Sequence, residues 1–387
     1  MIYTLKKKLS TSKSLETRLN TLANISRFTY NWLLARSIQD KKKKLTVAKC
    51  YEYQKEFRAL VKDQSMHDRY GVIYEDEWQE ILASAPSQIS DNECKNLTKA
   101  YKTLKKRSIP SFKKARDSRQ SFTIHKKVEG TFKYENQVLQ VAKLSLRIND
   151  DRSLITQENI KLVTISKSSY GWYISVTIEI PDDTFLKPSN GKEVGIDWGV
   201  RRFATDSDGY YYSFKDEPNY KKYKTIQARI KALQAKLAKK RLTNKAWKSS
   251  KRYETLKEKI AYLYEKLANM RNNFLHHVSK YYLSAYDRVV IEDIKVSNLL
   301  KNHNLARSIA DSMFYTWKVM LSYKSLWYGK ELVIVNPSYT SQTCSSCGHI
   351  KKKEDKLMLK EKIYVCKACG YKEDRDLNAA INILNLA

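Results

Sequence analysis

Two cysteine pairs carry the most specific chemistry in the chain: Cys344-Ser345-Ser346-Cys347-Gly348 and Cys366-Lys367-Ala368-Cys369-Gly370. Two residues between paired cysteines let successive thiolates converge on one ion, and the trailing glycine lets the backbone turn tightly beneath the sulfurs. Four thiolates with no open position describe a structural Zn²⁺ site made by Cys344, Cys347, Cys366 and Cys369. His349 follows closely, but the shell is already complete, so it reads as a bystander. Cys50 and Cys94 stand alone, and six cysteines in 387 residues make no disulfide framework.

Three acids form the second constellation. Asp197 interrupts the apolar run Val194-Gly195-Ile196-Asp197-Trp198-Gly199-Val200. A carboxylate there is costly unless it is paired or holds a metal. Glu292 ends a second apolar run, Val289-Val290-Ile291, and Asp376 opens the last helical pattern, Asp376-Leu377-Asn378-Ala379-Ala380. Each has an ordinary reading: a turn, a strand-end ion pair, a helix N-cap. Together they read as two acids on neighbouring strands and a third on a following helix, as in a ribonuclease-H-like sheet. Carboxylates meeting at one point repel unless divalent cations neutralise them. Two Mg²⁺ or Mn²⁺ ions about 4 Å apart can orient a water and stabilise the leaving 3′ oxygen of a phosphodiester. Such chemistry needs no histidine base, so the adjacent His276 and His277 read as surface or RNA-contacting residues.

Elements must hold these groups in place. A strand is expected over residues 1–10 and helices over 15–105, with Pro86 near the start of the last. Alternation then marks strands between 110 and 187, including a hairpin that turns at Ser168-Ser169-Tyr170-Gly171, in a small antiparallel and barrel-like domain. A strand carries Asp197, a hairpin turns at Asp206-Ser207-Asp208-Gly209, and a long helical segment runs from about 221 to 284. Strands at 288–294 and 332–335, a helix at about 303–328 and a closing helix from Asp376 complete the pattern.

Lys+Arg is 73 against 41 Asp+Glu, a formal charge of +32. Hydrophobic residues make up 42%, enough for real cores in two or three domains. With 27 tyrosines, the chain is no disordered basic tail. So much positive charge calls for a polyanionic partner. The runs Lys41, Lys42, Lys43, Lys44 and Lys105, Lys106, Arg107 are expected on phosphates, because clustered lysines are flexible point charges. No apolar h-region follows the N-terminus and no long uncharged apolar window occurs, so neither a signal peptide nor a membrane span is expected. A cytoplasmic protein working on the nucleoid fits.

Gly195-Ile196-Asp197-Trp198-Gly199, Ile291-Glu292-Asp293-Ile294, the segment from Tyr339 to Gly348 and the segment from Asp374 to Ile383 resemble the TnpB family. These are RNA-guided nucleases of insertion sequences, formerly called OrfB transposases, related to compact type V CRISPR effectors. The likeness extends to the segments Ser26–Asn31 and Leu82–Gln88. It implies a multidomain α+β protein. A RuvC-like nuclease domain would span 191–339 and 373–387, with Asp197, Glu292 and Asp376 as catalytic, Mg²⁺-holding acids. A zinc ribbon that binds target nucleic acid would span 340–372. A β-barrel wedge domain would comprise 1–10 and 106–187, and a helical recognition domain 11–105. The implied partners are a guide RNA from the element's end and a target DNA bearing a short adjacent motif. One protein chain is expected per RNA. Trp198 departs from the family, where leucine is common, and the chain stops soon after its last helix where many relatives carry a tail. The alternatives are a compact type V CRISPR effector, which shares every motif, and a DNA-binding transposase or accessory protein without guide RNA.

Overall fold

Strict alternation buries Trp172, Ile174, Val176 and Ile178 on one face of a strand and makes it the centre of the first sheet. The structure is a computed structural model. It describes residues 1–387 except 41–43, 67–74, 105–108, 115–119, 127, 200–201, 244–249, 294–312 and 352–360. The chain divides into two units, Met1–Pro181 and Asp182–Ala387.

In the first unit, β1 (Ile2–Lys8) is followed by helices α1 (Lys13–Gln39), α2 (Val47–Lys62), α3 (Asp76–Ala83) and α4 (Ser87–Thr103). Ser12 and Thr46 cap α1 and α2 by accepting from the Leu15 and Lys49 N–H groups. Then come β2 (Gln120–His125), β3 (Lys133–Glu135), β4 (Val138–Val141), β5 (Leu144–Arg147), β6 (Ile160–Ser168) and β7 (Gly171–Glu179). The larger sheet has the antiparallel order β1-β7-β6-β2, and β3-β4-β5 form a separate meander. The motif in α1 has a packing reason: the Ser26 hydroxyl donates to the buried Glu93 of α4, and the Asn31 side chain exchanges two hydrogen bonds with the Lys113 backbone. Lys113 in turn pairs with Glu93 at 2.6 Å.

The second unit runs β8 (Glu193–Asp197), β9 (Ala204–Asp206), β10 (Tyr211–Tyr212), α5 (Tyr220–Thr243), α6 (Lys251–Ala285), β11 (Arg288–Glu292), α7 (Phe314–Tyr328), β12 (Glu331–Val335), β13 (Ile363–Val365), β14 (Lys372–Asp374) and α8 (Arg375–Asn385). Its main sheet has the order β10-β9-β8-β11-β12, with β8, β11 and β12 parallel and the β9–β10 hairpin antiparallel on one edge. Asp287 anchors one end of this sheet. It accepts from Ser189, Asn190 and Gly191, and the buried ammonium of Lys330 holds its carboxyl well below the usual range.

The long helical segment expected from about 221 to 284 is two helices that pair antiparallel. Arg271 donates to the Tyr223 hydroxyl at 2.9 Å, Gln234 to Tyr264 at 2.9 Å and Arg241 to Tyr253 at 2.7 Å. The stripes Ile226–Ile230 and Ile260–Leu267 thereby cover each other. One continuous helix would leave both apolar stripes in water. Among the described residues no helix is long and apolar enough to cross a membrane.

Candidate active centre and cysteine cluster

Period-two geometry decides which face of the main sheet each side chain meets. Val194 and Ile196 of β8 and Val289 and Ile291 of β11 pack with Phe274, Leu275, Val278, Trp317 and Leu321 of α6 and α7. The alternate residues, Gly195 and Val290, meet α8 instead: Val290 packs with Ile383, and α8 lies directly on Gly195. Asp197 and Glu292 follow Gly195 and Val290 by two residues, so they share the α8 face. The parallel register pairs Ile196 with Ile291, which sets Asp197 and Glu292 side by side at the C-terminal ends of neighbouring strands. His276 and His277 are exposed on α6, the helix that packs on the opposite face.

The third acid arrives with α8. Asp374 is the N-cap of that helix and accepts from the backbone N–H groups of Asp376 and Leu377. Arg202 holds Asp374 by an ion pair at 2.8 Å. The capping duty that Asp376 could have had therefore falls to Asp374, and Asp376 enters the first turn of the helix.

Asp197 lies within electrostatic reach of both Glu292 and Asp376. Burial first, then the charges of Glu292 and Asp376, push the Asp197 carboxyl well above its ordinary range, and Arg375 opposes this. Burial also raises Glu292, and the Thr340 hydroxyl that donates to it acts the other way. Crowded, partly dehydrated carboxylates are hard oxygen donors that gain by sharing divalent cations. Asp197, Glu292 and Asp376 thus have the donor chemistry of a Mg²⁺ or Mn²⁺ site, although among the described residues only the four cysteines bring their ligand atoms within 4.8 Å of one another.

Gly195 is what allows α8 so close. A Cβ there would lie 2.2 Å from the Ala380 carbonyl oxygen and 2.6 Å from the Leu384 nitrogen, both helix backbone. Gly195→Ala must push α8 away from β8, and Asp376 with it. The expected result is a loss of about 1–3 kcal/mol of stability, the usual cost of overpacking. It should appear as a lower Tm in thermal unfolding, together with a drop in any activity that needs Asp376. An unchanged Tm would show that α8 does not rest on this glycine.

The four cysteines come together as expected. Among the described residues, Cys344, Cys347, Cys366 and Cys369 form one group whose ligand atoms all lie within 4.8 Å of one another. The Cys344–Cys369 and Cys347–Cys366 sulfurs are 3.7 Å apart. Four thiolates about 2.3 Å from one zinc ion in a tetrahedron have edges of about 3.8 Å, so the spacing suits that metal. Gly348 and Gly370 both take φ +75°, the left-handed turn beneath each pair. The β13–β14 hairpin supports the second pair.

Of the lysine runs, Lys44 is exposed, while Lys41, Lys42, Lys43, Lys105, Lys106 and Arg107 lie outside the described residues. The lysine- and arginine-rich faces of the 221–284 segment, which the sequence leaves open between solvated surface and nucleic-acid contact, line a groove between α5 and α6 with Lys236, Lys239, Lys240, Arg252 and Lys259. The signal was present as lysines at helical spacing, but the partner helix that turns a charged face into a groove is not legible in one segment.

Comparison with known proteins gives a consistent picture. A family model described as Probable transposase matches residues 175–303, and one described as Cas12f1-like, TNB domain, matches residues 314–383. The chain is 33% identical over 321 residues to InsQ of Escherichia coli strain K12, which is named for an RNA-guided DNA endonuclease; this covers 78% of the chain and 75% of InsQ. It is 26% identical over 221 residues to the CRISPR-associated endodeoxyribonuclease Cas12f1 of Sulfoacidibacillus thermotolerans, covering 55% of the chain and 49% of that protein. A solved Cas12f1–sgRNA–target DNA complex contains a similar fold, with a TM-score of 0.57, 16% identity, and coverage of 97% of this chain and 83% of that one.

Proposed function

The chain belongs to the TnpB family of transposon-associated RNA-guided DNA endonucleases, and from that premise we propose that it hydrolyses target DNA phosphodiesters by divalent-metal chemistry, directed by a guide RNA. The observation that supports the proposal is that Asp197 and Glu292 stand side by side at the C-terminal ends of β8 and β11, with Asp376 of α8 near enough to act on Asp197. Asp197 and Glu292 would anchor the cations from the sheet, and Asp376 would close the site from the first turn of α8. When bound, Mg²⁺ or Mn²⁺ supplies the Lewis acidity and the positive charge that phosphodiester hydrolysis needs. The main sheet with α8 would be the RuvC-like nuclease core, spanning 191–339 and 373–387. Residues 340–372 would be a zinc ribbon that contacts target nucleic acid. Residues 1–10 and 106–187 would form the barrel-type wedge around the β1-β7-β6-β2 sheet, and the helices of 11–105 the recognition domain.

The cationic groove of α5 and α6 suits a phosphate backbone, because its lysines offer charge without base discrimination. A surplus of +32 is far more than a carboxylate centre needs, and it fits an RNA scaffold and a heteroduplex rich in phosphates. Sequence selectivity would come from base pairing, with the protein reading only a short flanking motif.

The deciding experiment is purification from cells that carry the native locus, followed by sequencing of the bound RNA. A discrete RNA ending in sequence from beyond the element's boundary is expected. Changing that end should redirect cleavage to a matching DNA. Processed spacer–repeat RNA would move the protein to the CRISPR effectors, and site-specific cleavage by RNA-free protein would overturn RNA guidance.

A further inference from the structure

The segment between β12 and the first cysteine pair touches both halves of the second unit's chemistry. Its Thr340 is 5% exposed, and its hydroxyl donates to Glu292 Oε1. The carbonyl of the same residue accepts from Asn382 Nδ2 at 2.9 Å. Asn382 and Asn378, one turn apart on α8, both donate to the Thr343 carbonyl, at 2.7 and 2.8 Å. The Asn378 side-chain oxygen accepts from the Ser345 backbone N–H at 2.9 Å. Both asparagines are buried. Cys344 thus lies between two residues whose backbones are bonded to the helix that begins with Asp376.

Tyr339 adds a reason for the segment's shape. Its φ of +64° is left-handed, a conformation that strains a tyrosine. The turn is held because the Tyr339 carbonyl accepts from the N–H groups of Gln342 and Thr343 and from the Thr343 hydroxyl. A left-handed residue immediately before Thr340 redirects the chain as β12 ends and the turn toward the cysteines begins.

We propose that Thr340 is a positioning residue: its hydroxyl fixes the Glu292 carboxylate for cation binding, and its backbone, through Asn378 and Asn382, ties that carboxylate to α8 and to the first cysteine pair. The inference rests on the reading of Asp197, Glu292 and Asp376 as a divalent-cation site. Among the described residues, this oriented hydroxyl engages one oxygen of the buried Glu292 carboxylate, which fixes the direction of the other. Partners of this kind behind a metal-holding side chain are commonly worth 10–100-fold in metal affinity or activity.

The test measures Mn²⁺ binding by electron paramagnetic resonance on the zinc-loaded, full-length chain, without nucleic acid. Thr340→Val replaces the hydroxyl with a methyl of similar size. It should weaken Mn²⁺ binding by about tenfold or more, whereas Thr340→Ser, which restores the donor, should bind as the unaltered chain does. Zinc content should be unchanged in both, and both should keep one cooperative unfolding transition, with a lower Tm for Thr340→Val because a buried acceptor loses its donor. If Thr340→Val loses zinc or its cooperative transition, Thr340→Ala removes the hydroxyl without placing a methyl against the carboxylate and carries the same comparison. In RNA-loaded protein the valine variant should lower kcat for target cleavage, shift its Mg²⁺ requirement upward and leave KM for DNA unchanged. Asp197→Ala separates the two ways to fail. If it removes Mn²⁺ binding while Thr340→Val does not, the role of Thr340 is wrong and the cation site stands. If Asp197→Ala leaves Mn²⁺ binding intact, the cation site is wrong and the role of Thr340 falls with it.

Discussion

Alanine at Asp197, Glu292 or Asp376 is expected to abolish cleavage of a guide-matched DNA and to leave guide RNA binding unchanged. The loss should reach at least about 10³-fold, the scale seen when a group acting directly on transition-state charge is removed. RNA binding should survive because the cationic groove lies on the α5–α6 hairpin and uses none of these side chains. The same residues should show an opposite effect on stability. Without cations, Asp197 is held among two other acids in a partly dehydrated site. Asp197→Asn removes a charge that neither burial nor its neighbours favour. It should therefore raise Tm in metal-free buffer while eliminating cleavage, a trade of stability against activity that marks a working site. Thermal unfolding and a cleavage time course on one preparation check both halves. Near-normal cleavage by any of the three alanine variants would dismiss the triad.

Removing the cysteine cluster should be nearly as severe, by a different route. Structural zinc contributes folding free energy directly, on the order of 10–16 kcal/mol in isolated zinc-finger peptides. Cys366→Ala, or a strong chelator, should take metal content from about one zinc per chain to none and unfold the β13–β14 hairpin with both knuckles. The damage should reach the carboxylates, because residues 340–345 are bonded to Asn378 and Asn382 of α8. Elemental analysis and hydrogen exchange across 340–385 would follow both effects. Full cleavage by a zinc-free variant would show that the cluster and the acids act independently.

The cysteine cluster was legible because it rests on residue types at short spacing. CxxC pairs and carboxylates inside apolar runs announce themselves within a few positions. Strand alternation likewise marked β6 and β7, whose turn falls where Ser168 to Gly171 predict it. Other features depend on a second segment that no local pattern names. Nothing in the amphipathic run from 221 to 284 states that it folds back on itself. Asp374 and Asp376 are both plausible caps, and only the pairing of Arg202 with Asp374 and the backbone bonds at the helix start separate them. Gly195 reads as an ordinary strand glycine until α8 is laid across it. Thr340, Asn378 and Asn382 follow no hydrophobic period, so their joint role appears only when three distant stretches meet.

The order of the three acids along the chain has a consequence for biosynthesis. Asp197 precedes Asp376 by 376 − 197 = 179 residues. At translation rates of about 5–20 residues per second, roughly 10–35 s separate their appearance at the ribosome. During that interval β8 and β11 can pair, but the groove at Gly195 is uncovered and the third carboxylate does not yet exist. A nascent chain, or one released by a premature stop before residue 376, therefore carries the basic α5–α6 groove without the third acid of the proposed centre. On the function proposed above, such a fragment would hold nucleic acid without hydrolysing it.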